Sequence, residues 1–458
     1  MKAKNNSPKL DRQLGLFDST MMVIGIVIGS GIFMTTGLMA DALPSASLIL
    51  IVWLLGGLQM LAGALTYAEL GAAMPKAGGQ YVYLREAYGS LPAFLFGWVA
   101  FIAYLTGTNA AIAVAVAEHL GSFYPSISTH NIVIGFDYFS ISGGQIFAIS
   151  LILILSFINY LGILFGKWIQ NVFTILKIGS ILFFALAGLF ISTGNHIDFS
   201  INPTSMSIGS ILTGMGIALV AVTWTVGGWE YVTFAAGEIK NPKKNLPLAL
   251  IIGTVVIFVL YIIINIAYLK VLPMDSLIGE LKVGEATAKS LYGPGIAGAF
   301  VVVVIISMFG SLNGNILVGP RISYAMAKDE LFFSKAADVH PKFHTPGNAI
   351  MIQGFWAAVL VLSGTFEEII TLVVFVNFMM WIAASSTVFV LRKKQPELER
   401  PYKVWGYPYV PAFFILFSSA IMINTFFESP QQSLMGIGLT LLGIPAYLYW
   451  KKISYSSA

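Results

Sequence analysis

A chain of 458 residues that is 57% hydrophobic and 10% charged, with a mean hydropathy of +0.83, is too apolar for a water-soluble globule, in which about a quarter of residues are charged. A net charge of +4, with lysines and arginines collected at the ends of apolar runs, is a topology signal rather than a nucleic-acid footprint. The sequence holds no cysteine, which excludes disulfides, thiolate metal ligands and cysteine nucleophiles.

The apolar runs match the ~20 residues a helix needs to cross a hydrocarbon core ~30 Å thick, and the period-2 alternation of a barrel is absent. The fold class is therefore an all-α membrane bundle. Residues 1–15 carry Lys2, Lys4, Lys9 and Arg12 but no short apolar core ending in a cleavage site, so they are read as a cytosolic tail rather than a signal peptide. Twelve transmembrane helices follow, predicted at 16–39, 46–71, 91–117, 143–161, 167–192, 210–236, 248–270, 295–327, 347–364, 367–391, 409–427 and 432–451, with 452–458 as a second cytosolic tail. With both termini inside, all Lys and Arg except Lys177, Lys270, Lys282 and Lys289 fall at or near the cytosolic side, as the positive-inside rule requires.

The first span is interrupted near its middle by Val27-Ile28-Gly29-Ser30-Gly31-Ile32-Phe33. Glycines lower helix propensity, a broken helix leaves backbone groups without partners, and in hydrocarbon such groups survive only where they line a cavity or meet a ligand. After the second span, Pro75 to Gln80 reads as a turn, and Tyr81 to Tyr88 as an interfacial helix. In the fifth span Lys177 lies ten residues beyond Lys167, about 15 Å of helix and hence near mid-membrane. An ammonium there must face the protein interior and pair, and backbone carbonyls of the broken first helix are the expected partners. It is either a fixed strut or the seat of a moving proton.

The sixth span breaks in turn at Thr223-Trp224-Thr225-Val226-Gly227-Gly228-Trp229-Glu230. Five spans separate the two breaks, and an odd number inverts the second copy, so residues 16–192 and 210–391 are read as an inverted 5+5 helix repeat with broken helices 1 and 6, followed by two further helices at 409–451. The stretch Asp275 to Tyr292 is polar enough for an external lid helix, as 81–88 is for an internal one, with a plain connecting loop the alternative for each.

These residues support a site for a zwitterion. The amides at Gly29, Ser30 and Gly31, at the start of the outer half of helix 1, favour a carboxylate. The carbonyls near Val27 and those of Trp224, Thr225 and Gly227 accept from an ammonium. Trp224 is either a lid over the bound side chain or a packing residue; its mid-depth position argues against an interfacial anchor. Glu230 is a proton carrier, a contact for a cationic substrate, or a carboxylate satisfied by polar neighbours. Glu69, Asn109, Asn159, Ser311, Asn313 and Asn315 are assigned to interhelical hydrogen bonding.

Four strings in order and at matching depth resemble the amino acid-polyamine-organocation superfamily over essentially the whole chain. They are Gly29 to Phe33; Tyr67-Ala68-Glu69-Leu70 with Pro75, Gly78, Gly79 and Tyr81; Gly227 to Glu230 with Glu238 to Pro242; and Arg321 to Asp329 with Thr345-Pro346. The chain looks most like bacterial relatives of the L-type amino acid transporters. It departs from them at Glu230, where they usually carry Asn or another neutral residue, and at Trp224, which is similar to the gating Trp of the arginine/agmatine antiporter. The resemblance implies a leucine-transporter-type fold and a secondary amino acid transporter of the cytoplasmic membrane. It also implies sodium-independent transport, since the fifth-helix lysine occupies the place of a sodium ion in sodium-coupled relatives. The expected activity is exchange of small neutral amino acids such as alanine or serine, with proton-coupled symport and cationic amino acid or amine antiport as alternatives. Eukaryotic L-type relatives join a glycoprotein through a disulfide, a link this cysteine-free sequence lacks. No cofactor, metal or enzymatic activity is expected: the five histidines, His119, His130, His196, His340 and His344, lie in predicted loops, and no G-x-x-x-x-G-K-[ST] string occurs.

Overall fold

The computed structural model describes residues 8–136, 139–191, 196–201, 206–363 and 366–457; Lys2, Lys4, Ala458 and the final residues of the predicted fifth and ninth spans, 192 and 364, lie outside them. In chain order the helices are α1 Leu16–Val27, α2 Thr35–Ala42, α3 Ala46–Ala73, α4 Gln80–Tyr88, α5 Ser90–Val99, α6 Leu105–Gly121, α7 Gly143–Tyr160, α8 Ile163–Phe190, α9 Ile208–Val226, α10 Pro242–Val271, α11 Met274–Leu277, α12 Val283–Tyr292, α13 Pro294–Val318, α14 Pro320–Lys328, α15 Gly347–Leu362, α16 Phe366–Lys394, α17 Tyr409–Glu428, α18 Pro430–Leu441 and α19 Gly443–Ser457. Among the described residues ten helical stretches are long and apolar enough to cross a bilayer, and α1 and α15 are shorter apolar helices. The chain is a nearly all-helical, multi-pass membrane protein.

Local chemistry sets the helix ends. Ser142 accepts from the Gln145 amide while the Gln145 side chain accepts from the Ser142 amide, a reciprocal cap that starts α7. Pro242, Pro294, Pro320 and Pro430 occupy first-turn positions whose amides have no intrahelical partner in any case. The predicted eighth span is one helical stretch in which α13 and α14 meet at Gly319, whose backbone is helical, and α19 carries helix to Ser457, through most of what was read as a tail.

Two features went unread. An antiparallel hairpin, β1 Ile132–Phe136 and β2 Phe139–Ser142, joins α6 to α7. Between α5 and α6, Ala100–Tyr104 forms a wide helical turn in which the Thr106 hydroxyl donates to the Phe101 carbonyl, five residues back, at 2.6 Å.

α1 packs against α8, α10 and α13, so the broken first helix is enclosed by long helices. At the end of the bundle carrying Lys240, Arg392 and Arg400, called here the basic end, the segment before α1 is strapped down. The amides of Gln13 and Leu14 donate to the Glu238 carbonyl at 2.8 and 2.9 Å, and the Lys240 amide donates to Leu14 at 2.8 Å. The Glu238 side chain, fully buried, accepts from Arg321 of α14 at 2.7 and 2.9 Å. Close by, Glu69 of α3 accepts from Arg392 of α16 at 2.9 and 2.6 Å and from the Val404 amide at 2.6 Å.

Candidate functional site

α1 stops at Val27, Ile28 turns extended, and helix resumes as a short 3-10 turn at Gly31–Phe33 before α2. In that gap the amides of Gly29, Ser30 and Gly31 meet no hydrogen-bond acceptor among the described residues. α9 stops at Val226, Gly227 is extended, and Gly228 adopts φ +95°, a left-handed conformation that costs any residue with a Cβ. A 3-10 segment, Trp229–Glu238, kinked at Ala235, then leads to the basic end.

The two breaks touch. The Thr35 and Thr225 hydroxyls lie 2.6 Å apart, and a Cβ placed on Gly31 would stand 2.7 Å from Thr225 Oγ1, so glycine is what allows this approach. The Tyr261 hydroxyl reaches the Val27 and Thr225 carbonyls at 3.4 Å each. One hydroxyl proton cannot serve both, which leaves an acceptor free in the gap.

A cavity of about 90 Å³ lies between the breaks, bounded by Val27, Gly29, Ser30, Gly31, Trp224, Thr225 and Gly227. Pockets for drug-sized ligands run to roughly 300–1,000 Å³, so the space suits a small solute. Its remaining wall comes from side chains that the sequence reading either left out or assigned elsewhere: Tyr104 and Thr108 of the α5–α6 segment, Tyr231 after the second break, Ser311 and Asn315 of α13, and Asn377 of α16. The Oδ1 atoms of Asn315 and Asn377 are buried without a partner. The signal for them was slight, single polar residues in apolar spans, of which Ser311 and Asn315 were assigned to interhelical bonding.

Lys177 and Glu230 stand behind this wall. The fully buried Lys177 ammonium donates to the carbonyls of Gly25 at 2.6 Å and Ile28 at 2.7 Å. The Ser307 hydroxyl lies 3.0 and 3.1 Å from the Ile28 and Gly29 carbonyls and donates to one of them, and Ser311 donates to Ile26 at 2.6 Å. The carbonyls freed by the helix break are thus held from α8 and α13. Glu230 is fully buried; its Oε1 accepts from Trp381 at 2.7 Å and from the Tyr104 hydroxyl at 3.2 Å, and its Oε2 has no partner. Tyr104 stands between Glu230 and the cavity, its ring edge-on to Tyr231 at 5.7 Å. Elsewhere Asn159 donates to Asn313 at 3.0 Å and Asn313 to Gln170 at 3.1 Å, whereas neither side-chain atom of Asn109 has a partner.

The arrangement offers amide donors at one helix start, carbonyl acceptors at two helix ends and a small space between. Comparison with known proteins agrees in kind. The chain is 33% identical over 97% of its length to the serine/threonine exchanger SteT of Bacillus subtilis, covering 98% of that protein. It is 29% identical over 92% of its length to the b(0,+)-type amino acid transporter 1 of Mus musculus, covering 84% of it, and 27% identical over 96% to the mouse large neutral amino acids transporter small subunit 2, covering 82%. The amino acid permease family model matches residues 14–444, and the chain belongs to that family, within the amino acid-polyamine-organocation superfamily.

Proposed function

We propose that this protein is a sodium-independent antiporter of small neutral L-amino acids that works by alternating access in the cell membrane. The observation that carries the reading is the cavity between the two helix breaks, with the unpaired amides of Gly29, Ser30 and Gly31 on one side and the Val27, Trp224, Thr225 and Gly227 backbone on the other. The amides take the carboxylate, the carbonyls take the ammonium, and Trp224 covers the side chain. Counting α1 with α2 and α15 as spans gives twelve helices, arranged as an inverted 5+5 repeat with both termini cytosolic. The basic end is then the cytosolic face.

Serine and threonine are the favoured substrates. Asn315 and Asn377 place side-chain amides, each with an unpartnered oxygen, in the cavity wall, and a wall of that polarity suits a hydroxyl better than an alkyl side chain. The serine/threonine exchanger among the relatives supports the same choice. Lys177 supports the broken first helix with a fixed charge where a sodium-coupled carrier needs an ion. Glu230 is not among the residues that bound the cavity, which disfavours cationic amino acid or amine antiport. Proton-coupled symport remains the second reading, on the observation that Glu230 Oε2 has no partner and so has room for a proton. The sequence has no cysteine for a disulfide to a partner subunit.

Uptake of labelled serine, threonine, alanine and leucine into proteoliposomes, without sodium, tests this. Uptake that requires unlabelled amino acid inside is the expected result. Equal uptake into empty vesicles, growing with an inward proton gradient, establishes symport instead.

A further inference from the structure

At the basic end a second cavity, of about 430 Å³, opens between the segment before α1, the α3–α4 connection and α14. Its cations come from separate stretches of chain: Lys9, Lys76, Arg85 and Lys328. Asp329 is the one carboxylate on its wall, and that group is occupied, accepting from the Tyr81 hydroxyl at 2.8 Å and from Arg85 at 2.6 Å. Arg85 also donates to Glu86 at 3.1 Å, and Glu86 meets Lys76 only at 3.9 Å. Among the described residues no carboxylate lies within 4.0 Å of Lys9 or Lys328. Leu10, Ala77, Val82 and Ala325 give the same cavity an apolar floor.

We propose that this cavity binds a phosphate-bearing anion, held by Lys9, Lys76 and Lys328. Each ammonium offers three donors and no acceptor, and three of them around one concave space meet the charge and the oxygen count of a phosphate or pyrophosphate group. The ligand is either an anionic phospholipid headgroup or a soluble phosphate compound; the apolar floor fits the uncharged part of both.

The placement gives the site a consequence. Lys9 lies on the segment strapped to the end of the broken sixth helix, and Gly237 of that helix also borders the cavity. Lys76 and Lys328 lie on the α3–α4 connection and α14. Opening the cytosolic side moves the strap away from α14, so an anion spanning Lys9 and Lys328 holds that side shut and slows exchange. This regulatory part rests on the alternating-access reading; the binding itself does not.

The test uses the purified full chain in detergent and inorganic pyrophosphate as probe, with thermal unfolding and phosphorus NMR line width as readouts at constant ionic strength. Saturable binding is expected, weakened about tenfold by Lys9→Gln and again by Lys328→Gln, since each removes one charge-assisted donor. Lys243→Gln, at an exposed pair with Glu399 outside the cavity, leaves binding unchanged. No saturable binding, or equal binding by the wild type and the Lys9→Gln/Lys328→Gln double variant, overturns the site. Reconstitution in phosphatidylcholine vesicles with and without phosphatidylglycerol then names the source: pyrophosphate binding abolished by phosphatidylglycerol assigns a lipid headgroup, and unaltered binding assigns a soluble ligand. Because these readouts need no transport, failure of the exchange assay leaves them interpretable.

Discussion

The Lys177 ammonium lies 2.7 Å from the Ile28 carbonyl, so a charge carried by α8 replaces the hydrogen bond that α1 gives up where it breaks. It spans the gap by also holding Gly25, one turn earlier. Lys177→Met removes the donor, leaves the buried Gly25 carbonyl unpaired at about 1–3 kcal/mol, and leaves the Ile28 carbonyl to Ser307 alone. Exchange is expected to be lost and the thermal midpoint lowered, both measured on the purified variant; wild-type exchange by Lys177→Met would show that the break needs no such support.

Gly31→Ala brings a methyl to 2.7 Å from Thr225 Oγ1 and 3.0 Å from its Cγ2. Two well-packed helix breaks cannot absorb that without shifting, and the expected result is a higher KM for serine with exchange reduced at least about tenfold, equivalent to ~1.4 kcal/mol. Thr225→Ala removes both of those atoms. The Gly31→Ala/Thr225→Ala double variant should therefore recover part of the loss, and a double-mutant cycle with zero coupling energy would contradict the contact.

At Glu230 the outcome depends on shape and charge separately. Gln keeps an oxygen for Trp381 and the Tyr104 hydroxyl, so Glu230→Gln should retain exchange, with the pH profile of the wild type if no proton is coupled. Leu keeps neither bond. Glu230→Leu leaves two buried donors unpaired, costs about 2–6 kcal/mol in total, and should abolish exchange by freeing Tyr104 from its place in the cavity wall. Exchange rates at several pH values decide it.

Asn377→Val and Asn315→Val each delete one unpartnered acceptor from the cavity. Each is expected to move the ratio of serine to alanine transport toward alanine by about tenfold, the scale of one hydrogen bond of ~1.4 kcal/mol. Competition uptake with the two amino acids gives the ratio directly.

The Glu238–Arg321 pair gives a stability prediction. Both side chains are fully buried, and breaking one member of such a pair costs about 3–5 kcal/mol because it strands the other charge. Arg321→Met should therefore fold poorly, and Glu238→Gln in addition should restore expression and thermal midpoint in part.

What sequence alone made legible follows from where glycine interrupts an apolar run. Gly29, Gly31, Gly227 and Gly228 mark two points where a spanning helix cannot continue, and backbone groups at such points are the binding chemistry, so no side-chain direction had to be known. Tyr104, Thr108 and Asn377 were out of reach for the opposite reason. Each is one polar residue in an apolar helix, and which face it shows depends on how α6, α13 and α16 pack. The hairpin of β1 and β2 has strands of only five and four residues, too short for a clear alternating pattern between two apolar spans.

The wide turn at Ala100–Tyr104 stores one residue more than a regular helix of the same length contains. Nothing in Ala-Phe-Ile-Ala-Tyr demands it chemically, so it is a matter of counting rather than composition. Removing a single residue there would let α5 run straight into α6 as one regular helix, with the change taken up inside the turn itself, where Tyr104 lies. The geometry of Tyr104 and of its hydrogen bond to Glu230 would be reset by that change in length, with every other amino acid unchanged. A lineage of such carriers can thus redraw its site by a change in length, a route that alignments scored by substitution overlook.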